Sequence, residues 1–402
     1  MTNIAILGFG VVGSGVAKLI TDNYKECVAL GGDDINIKYI LDLRDFPDSP
    51  FASKVIHDYN VILNDPEVSY VIEVMGGSHP AYEFTMSALR AGKSVISSNK
   101  EVVANFGDEF MKAAEEAGVC YRFEAAVGGG IPVLSPMITM LRQNKISEVR
   151  GILNGTTNYI LTKMFSFGES FDDCLRDAQA RGYAESNPDA DILGIDASRK
   201  IAILGALISD KLIPTDKIHT EGITKIRSED VKAASALGCT IKLVGRCIVD
   251  ENDKCFIMVS PFMLPTDSPL SGVSGVYNAV EVVGDPIGSV MFYGQGAGAG
   301  ATASAVVGDL MQAMRSGRSI KMPVMERSTD TLKDFGDFIT KSYVAISGND
   351  KSTVVEIFGK VSFIEGDEVA FVTEAMSEKE AEAKISALTE KSISVKSRIR
   401  LL

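Results

Sequence analysis

The sequence predicts an α/β fold with three parts: a doubly wound parallel sheet, an α+β domain and a small C-terminal βαββαβ unit of the ferredoxin-like type. Two observations predict the first part. Apolar runs of strand length alternate with helical patterns over residues 1–132, and a glycine-rich turn follows the first run. The pattern then changes to longer helices and less regular strands after Pro132. At 402 residues the chain has room for two or three domains.

The first 132 residues are predicted to form a parallel sheet covered by helices on both faces, because strand and helix patterns alternate there. The predicted strands are Ile4–Leu7, Ile35–Leu41, Val68–Met75, Ser94–Ser97 and Cys120–Phe123. The helices predicted between them include Val12–Leu19, Tyr82–Ala91 and Asp108–Ala117.

Residues 133–300 are predicted to form the second domain, with helices over Asp172–Arg181 and Ala197–Ser209. The alternation in Lys242–Val249 and Lys254–Pro261 predicts antiparallel strands with one face in solvent. After a glycine-dense stretch at 294–300, the sequence predicts a helix over Thr302–Ser316, which we expect to pack back onto the first domain.

Residues 317–340 are predicted to form a linker and residues 341–402 the βαββαβ unit. A hairpin loop is predicted at Glu365–Asp367, between the two middle strands. In chain order, the predicted elements of this unit are the strand Ser342–Ser347, the helix Thr353–Lys360, the strands Val361–Ile364 and Val369–Thr373, the helix Glu378–Thr389 and the strand Ile393–Leu402.

Composition and charge exclude several classes of function. Forty Lys and Arg residues against fifty-three Asp and Glu residues give a net charge of −13, which argues against nucleic acid and gives no support to an anionic membrane surface as partner. No apolar run reaches the ~18 residues of a membrane span, and no signal-peptide pattern precedes the first strand. Six scattered Cys, three His and no CxxC disfavour a zinc site and favour free thiols in a reducing cytoplasm.

A glycine motif follows the first predicted strand and opens the first helix, with the order Gly8, Phe9, Gly10, Val11, Val12 and Gly13. Gly8 permits a tight turn, Gly10 allows backbone to approach a pyrophosphate, and Gly13 allows close packing of helix on strand. The N-terminus of the helix then presents free N–H groups and a positive dipole to the phosphates. This context predicts a Rossmann nucleotide site, and the alternative is a tight turn without a ligand.

The end of the second predicted strand bears on the choice between NAD and NADP. An acidic residue at this point binds the ribose hydroxyls of NAD, whereas an Arg accommodates the 2′-phosphate of NADP. Both types are present, as Asp42 and Arg44. We favour NADP through Arg44; NAD, or an exposed ion pair between the two residues, remains the alternative.

Two further clusters contain residues of the types that act in catalysis or ligand binding. Lys100 follows a predicted strand, where ligands of open α/β sheets are found. Asp196 and Lys200 lie four apart at the start of an apolar helix, so they share one face, and a lysine beside an aspartate at a buried helix start can act as an acid or base. The alternatives are an exposed lysine and a capping ion pair. Four carboxylates occur in this second cluster: Glu185, Asp189, Asp191 and Asp196.

With these residues in place, the chain resembles homoserine dehydrogenase over roughly residues 1–320. Several strings in the family's order carry the resemblance: GFGVVGSGV at 8–16, SNKEVVA at 98–104, FEAAVGGGIPVL at 123–134, GILNGTTNYIL at 151–161, AQARGYAESNPDADILGIDASRK at 178–200 and TASAVVGDL at 302–310. The resemblance implies reversible NAD(P)H-dependent reduction of L-aspartate 4-semialdehyde to L-homoserine, toward threonine and methionine. The rival functions are another semialdehyde dehydrogenase, a nucleotide sensor without turnover and an oligomerisation scaffold.

The resemblance also implies roles for single residues. Lys200 is the implied proton donor, Asp196 orients it, and Lys100 bridges cofactor and substrate. The implied substrate contacts are Glu185, Asp191, Asp196 and Thr156, and the implied further neighbours of the cofactor are Gly182 and Gly298. A monovalent cation, sodium or potassium, is implied on the main-chain oxygens of Glu124, Val127, Gly129 and Ile131.

The C-terminal unit resembles an ACT domain, which binds amino acids in many biosynthetic enzymes. This implies inhibition by threonine, and the family implies a homodimer or homotetramer. The usual Asp-x-Pro-Gly turn is replaced here by Gly348–Thr353, which contains neither the Pro nor the following Gly. A purely structural or dimerising unit is therefore the alternative.

Overall fold

The computed structural model describes residues 1–316, 325–366 and 368–402, and its larger strands form two sheets. Within these described ranges, the first sheet has six parallel strands in the order β3-β2-β1-β4-β5-β6, the doubly wound order of a Rossmann domain. Its strands are β1 (Thr2–Leu7), β2 (Ile35–Leu41), β3 (Val55–Ile56), β4 (Val68–Glu73), β5 (Ser94–Ser97) and β6 (Tyr121–Arg122). Its helices are α1 (Val11–Asp22), α2 (Tyr24–Gly31), α3 (Tyr59–Leu63), α4 (Ala81–Arg90) and α5 (Lys100–Ala117).

The second domain begins after the cross-over at residues 124–133. Its helices are α6 (Leu134–Pro136, continued by a π-helical turn over Met137–Leu141), α7 (Gly155–Phe167), α8 (Phe171–Ala180), α9 (Asp189–Ile192), α10 (Ile195–Ser209), α11 (Ser228–Ala236) and α12 (Ala299–Ser316). Its strands are β7 (Lys145–Ile152), β8 (Lys211–Leu212), β9 (His219–Thr220), β10 (Cys239–Val249), β11 (Cys255–Pro265), β12 (Tyr277–Asp285) and β13 (Gly288–Gln295).

The two longest strands correct one sequence expectation. Lys242–Val249 and Lys254–Pro261 were expected to face solvent on one side, and this is wrong. The antiparallel pair β10 and β11 is buried on both faces over most of its length. The apolar helix α10 covers one face, where Gly205 approaches Cys247 and Ile257, and a separate apolar cluster that includes Val244 and Phe262 covers the other.

Helix α12 returns to the first domain. Its apolar side chains join the cluster of α1 and of strands β1 and β2, and Gly15 of α1 allows close contact with Ala299 and Ala303. This packing places the N-terminal end of α12, at which the glycine-dense stretch ends, against α1.

The C-terminal residues continue the sheet of the second domain. The remaining elements are β14 (Glu326–Arg327), β15 (Ile339–Thr340), β16 (Ser342–Ile346), α13 (Lys351–Phe358), β17 (Val361–Ile364), β18 (Val369–Thr373), β19 (Met376–Ser377), α14 (Glu378–Glu390) and β20 (Val395–Leu401). Among the described residues, the strand order is β13-β12-β7-β10-β11-β20-β16-β18-β17. Because β20 pairs with β11, the βαββαβ unit is joined to the second domain by backbone hydrogen bonds.

The predicted linker is only partly described. Residues 317–324 lie outside the described ranges, as does Asp367 of the predicted hairpin loop. Residues 326–340 are held to the second domain, since β14 pairs with β8 and Lys333 N donates to Cys255 O at 2.8 Å. No helix in the described parts of the chain combines the length and apolar character that crossing a membrane requires.

Candidate active site

The glycine turn between β1 and α1 has the geometry of a phosphate cradle. Gly8 has a positive φ of 96°, and a Cβ on Gly13 would lie 2.0 Å from the Gly8 carbonyl oxygen, so neither position accepts a side chain. A Cβ on Gly10 would meet no atom of the residues that the structure describes within 4 Å, so the space over Gly10 is open to them. Val11 and Val12 begin α1, and no side chain of the described residues caps its N-terminus. Open space beside uncapped N–H groups fits the pyrophosphate of a dinucleotide.

Asp42 and Arg44 lie beside this turn and are paired with each other. The Phe9 N–H donates to Asp42 Oδ2 at 2.8 Å, which ties the glycine turn to the end of β2. Arg44 Nε donates to Asp42 Oδ1 at 3.0 Å, and the Arg44 side chain is 65% exposed. Hydrogen bonding to Arg44 outweighs partial burial and lowers the pKa of Asp42 to about 2. Both the acidic and the basic side chain therefore lie beside the glycine turn.

Replacement of Gly10 by alanine is expected to weaken nucleotide binding without weakening the fold. The added methyl meets no protein atom but occupies the open space over the turn. We expect the nucleotide Kd to rise at least ~10-fold by calorimetry, with Tm shifted by no more than ~2 °C. Gly308→Ala is the matched control, because this glycine is exposed on α12 and also has no neighbour to its Cβ within 4 Å. An unchanged Kd in Gly10→Ala would contradict the cradle.

Lys100 is the first residue of α5, which begins earlier than the predicted Asp108 because Asn99 caps it. Asn99 Oδ1 accepts from Glu101 N at 3.2 Å and Val102 N at 3.4 Å. The capping loop is anchored on the buried Glu73, whose carboxylate accepts from Ser97 Oγ at 2.5 Å. Burial raises the pKa of Glu73 to about 7, although hydrogen bonds from Ser97, Met75 and Asn99 oppose the shift. The cap therefore places Lys100 at the carboxyl end of β5.

Asp196 bridges two lysines at the junction of the two domains. One oxygen, Oδ1, is paired with Lys100 Nζ from the first domain. The other, Oδ2, accepts from Lys200 Nζ at 2.8 Å, and Lys200 also donates to Leu153 O at 2.7 Å. Asp196 is 3% exposed and Lys200 7%, whereas the Lys100 side chain is 40% exposed. The Lys200 ammonium group is therefore buried, whereas the Lys100 side chain is partly exposed to solvent.

The charges in this trio shift one another. Burial by itself would raise the pKa of Asp196, but the attraction of Lys200 and Lys100 outweighs it and holds that pKa well below its usual range. Burial lowers the pKa of Lys200, and repulsion from Lys100 adds to it, while attraction to Asp196 opposes it only in part. Lys200 is therefore an amine whose protonation changes closer to neutral pH than that of an exposed lysine.

Asn154 is part of the cluster and was missed by sequence reasoning. Its amide Nδ2 donates to Asp191 Oδ1 at 2.6 Å and to Asp196 Oδ2 at 2.9 Å, while its Oδ1 caps α7 by accepting from Thr157 N at 2.9 Å. Burial raises the pKa of Asp191. The signal was the string Asn-Gly-Thr-Thr, in which an Asn precedes a helix.

A second ion pair missed from sequence joins α5 to α10 beside the first. Arg199 pairs with Glu101 at 3.0 Å, and Ser78 Oγ donates to Glu101 at 2.6 Å. Two ion pairs, Lys100–Asp196 and Glu101–Arg199, therefore join α5 of the first domain to α10 of the second.

Three of the predicted contacts, Thr156, Gly182 and Glu185, lie around this cluster. Among the described residues, they form no hydrogen bond or ion pair with it. Thr156 Oγ1 donates to Tyr183 O at 2.6 Å and so holds the loop that contains Gly182, whose φ is 74°. The exposed Glu185 carboxylate makes no hydrogen bond or ion pair with any residue that the structure describes. The structure therefore joins Lys100, Asp191, Asp196 and Lys200, but not Glu185.

The loop over residues 124–131 packs against the glycine-dense stretch. A Cβ on Gly129 would lie 2.4 Å from Gly296 O, and Gly298 has a positive φ of 124° at the start of α12. Glu124 accepts three backbone N–H bonds, from Val133 at 2.7 Å, Leu134 at 2.8 Å and Ser135 at 2.6 Å. The main-chain oxygens of Val127, Gly129 and Ile131 accept no hydrogen bond from the described residues. Unpaired carbonyl oxygens in a turn fit a hard cation.

Two family models match the chain. The model of the homoserine dehydrogenase NAD-binding domain matches residues 8–124, and the homoserine dehydrogenase model matches residues 132–311. Homoserine dehydrogenase from Bacillus subtilis is 37% identical over 374 residues, which cover 90% of this chain and 84% of that protein. The protein of the same name from Synechocystis is 41% identical over 314 residues, 77% of this chain and 72% of that protein.

Solved structures of homoserine dehydrogenases are also similar to this chain. The crystal structure of a homoserine dehydrogenase from Thiobacillus denitrificans superposes with a TM-score of 0.90 at 33% identity, covering 100% of this chain and 98% of that one. A hyperthermophilic archaeal homoserine dehydrogenase mutant in complex with NADPH superposes with a TM-score of 0.66 at 28% identity, covering 78% of this chain and 97% of that one. Because sequence similarity extends over nine tenths of its length, the chain belongs to the homoserine dehydrogenase family of NAD(P)-dependent oxidoreductases.

Proposed function

We propose that the chain reduces L-aspartate 4-semialdehyde to L-homoserine, and reverses that reaction, at the junction crossed by Lys100, Asp196 and Lys200. The observation that carries this proposal is the buried ion pair of Lys200 with Asp196, at 2.8 Å, beside the carboxyl edge of the nucleotide-binding sheet. Ligands of doubly wound sheets bind at this edge. A paired lysine there suits an oxygen that gains negative charge during the reaction.

Each residue then has a defined task. When bound, the nicotinamide supplies the hydride that turns the aldehyde carbon into an alcohol carbon. Lys200 donates a proton to the substrate oxygen as charge develops on it, and its neutral amine accepts the hydroxyl proton in the reverse direction. Asp196 holds Lys200 in place, and Lys100 lies between the nucleotide edge and the substrate.

The substrate's ammonium and hydroxyl groups need acceptors, and carboxylates supply them. We assign this task to Asp191 and Asp196, which Asn154 holds together, and to the exposed Glu185, which is free to turn toward a ligand. Thr156 contributes a hydroxyl that still has an acceptor lone pair. Gly182 and Gly298 border the nucleotide.

The function is tested by following nicotinamide reduction with homoserine and NADP or NAD in parallel. We expect homoserine-dependent reduction, with NADP preferred because the exposed Arg44 can pair with a 2′-phosphate. Arg44→Gln should then raise KM for NADP by about 10-fold and leave KM for NAD nearly unchanged. Tight nucleotide binding without turnover would favour the sensor function.

We also propose a sodium or potassium ion on the main-chain oxygens of Glu124, Val127, Gly129 and Ile131. The unpaired carbonyl oxygens of this loop and its contact with the stretch that leads to Gly298 support it. Replacing sodium and potassium by tetramethylammonium, which is too bulky for a carbonyl turn, is expected to lower both activity and Tm. Indifference of both to the exchange would count against the ion.

Regulation by threonine is proposed for residues 341–402. The strand order β20-β16-β18-β17 within this unit is that of a ferredoxin-like sandwich, and Asp350 caps α13 where the Asp-x-Pro-Gly turn would stand. We expect threonine to lower activity in a saturable titration and to raise Tm of the full chain. If neither activity nor Tm responded to threonine, the unit would have a structural role only.

A homodimer or homotetramer is proposed through the second domain. The outer hairpin of its sheet supports this, because Tyr277 of β12 and Tyr293 of the edge strand β13 stack at 5.2 Å, and both are exposed, as is Met291 of β13. Light scattering on the full chain measures the assembly directly.

A further inference from the structure

A buried ionic cluster joins the last strand of the chain to the second domain. Arg400 of β20 donates from Nε and Nη2 to Glu378 at 2.9 and 2.8 Å, and from Nη1 to Glu221 Oε2 at 2.8 Å and Ser260 Oγ at 2.7 Å. Arg400 is 3% exposed and Glu378 is 1% exposed. Glu378 belongs to the C-terminal unit itself, so the bonds from Arg400 to Glu221 and Ser260 are the parts of the cluster that cross to the second domain.

Glu221 is held on both oxygens. Oε1 faces His219 Nε2 at 2.7 Å, and Oε2 accepts from Arg400 and from Ser260 Oγ, the latter at 3.0 Å. Its main-chain N–H donates to Val259 O at 2.8 Å. The position of residue 221 is thus determined by β11 through its backbone and by the C-terminal strand through its side chain.

The segment after Glu221 packs directly on the turn between α9 and α10. A Cβ on Gly222 would lie 2.1 Å from Ile192 O, and Ile223 N donates to that same oxygen at 2.8 Å. On the other side of the turn, a Cβ on Gly194 would lie 3.2 Å from Glu221 O. Residues 220–223 therefore form a close-packed support for residues 192–194.

That turn sets the geometry of the substrate site. Asp191 is in α9 and Asp196 is in the first turn of α10, so the α9–α10 turn separates the two carboxylates that Asn154 bonds at 2.6 and 2.9 Å. A small displacement of the turn changes their separation and their direction toward a ligand. Close-packed segments transmit such displacements because they have little free volume.

We propose that Arg400 and Glu221 are positioning residues of the substrate site, which act through the α9–α10 turn on Asp191 and Asp196. The C-terminal strand then contributes to homoserine recognition without touching homoserine. This inference rests on the proposed function, in which these two carboxylates hold the substrate. The proposal predicts no change in nucleotide binding, because the nucleotide cradle lies on the first domain.

The test compares steady-state constants and Tm of Glu221→Ala, Glu221→Gln, Arg400→Lys and the matched control Arg398→Lys. Arg398 also donates to Glu378, at 2.9 Å, but its bonds to the described residues stay within the C-terminal unit, so its replacement perturbs the same cluster and leaves the crossing bonds of Arg400 in place. Replacement of Glu221 leaves the buried Arg400 paired with Glu378, so it leaves no buried charge without a partner. Arg400→Lys retains a charge but cannot reproduce the forked geometry of guanidinium.

Glu221→Ala and Arg400→Lys are expected to raise KM for homoserine at least ~5-fold with KM for the nucleotide within about twofold of wild type. Glu221→Gln can still accept from Arg400, so most of the rise in KM for homoserine should be absent in this variant. Arg398→Lys should show no rise in this KM. A merely structural role predicts a lower Tm with unchanged KM in every variant, and that result would overturn the inference. Asp196→Asn, assayed alongside, separates the two failures: if it too keeps its homoserine constants, the substrate assignment itself is wrong.

Discussion

Replacement of Lys200 by alanine is expected to lower kcat at least ~100-fold in both directions, the usual scale for a general acid or base. The variant loses the ammonium group that Asp196 holds and that the buried junction shields from water. Nucleotide affinity should stay within about twofold, because the cradle on α1 is in the other domain. Stopped-flow or steady-state assays with both substrates, together with nucleotide calorimetry, measure the two effects separately.

Lys93→Met is the matched control for this variant. Lys93 is 4% exposed and donates to the backbone oxygens of Asp65 at 2.6 Å and Val68 at 3.0 Å, so it is also a buried lysine with a carbonyl partner. It precedes β5, at the opposite end from Lys100. We expect kcat of the Lys93→Met enzyme to stay within about threefold of the wild-type value. A Lys200→Ala enzyme that matched this control would rule out the proton-transfer role.

Asp196→Asn is expected to lower kcat/KM for homoserine by about two orders of magnitude. The change leaves the buried Lys200 without its carboxylate, and breaking one partner of a buried pair costs about 3–5 kcal/mol of stability. Because the attraction of Asp196 raises the pKa of Lys200, its removal lowers that pKa further. The ammonium form is then lost at lower pH, and the decline of semialdehyde reduction with rising pH should move to lower pH.

Two measurements check this second prediction: the pH profile of kcat for reduction and thermal unfolding. Asp189→Asn is the control, since Asp189 is exposed in α9 and its carboxylate has no ion pair among the described residues. The pKa of Asp196 is held below its unfolded value, so its ionised form stabilises the fold above ~pH 4 and this contribution is lost as the pH falls toward the folded pKa. A pH profile that did not move would contradict the coupling of Asp196 to Lys200.

The first domain could be predicted closely because its signals are local. Strands Ile35–Leu41 and Ser94–Ser97 have the predicted bounds, and the glycine turn has the predicted geometry. The start of α5 was placed late because the decisive signal is the cap at Asn99, a single residue rather than a periodic pattern.

Contacts between distant segments were beyond sequence reasoning. Asp196 and Lys200 lie one helical turn apart and could be paired from spacing, but the bond from Lys100 to Asp196 joins two domains. Asn154 reaches Asp191 and Asp196 across about forty positions of chain. The solvent-facing expectation for β10 and β11 failed because alternation in sequence does not reveal that α10 and a second apolar layer cover both faces.

The central claim is that Lys200 transfers a proton, and chemical rescue of Lys200→Ala tests it most directly. The truncation opens a buried space beside Asp196, into which a small cation can diffuse. Methylammonium carries a charge and a transferable proton, whereas tetramethylammonium carries only the charge. The account predicts that methylammonium restores semialdehyde reduction by at least ~10-fold and that tetramethylammonium does not. Equal restoration of activity by the two cations would show that only charge is needed at this position and would contradict the account.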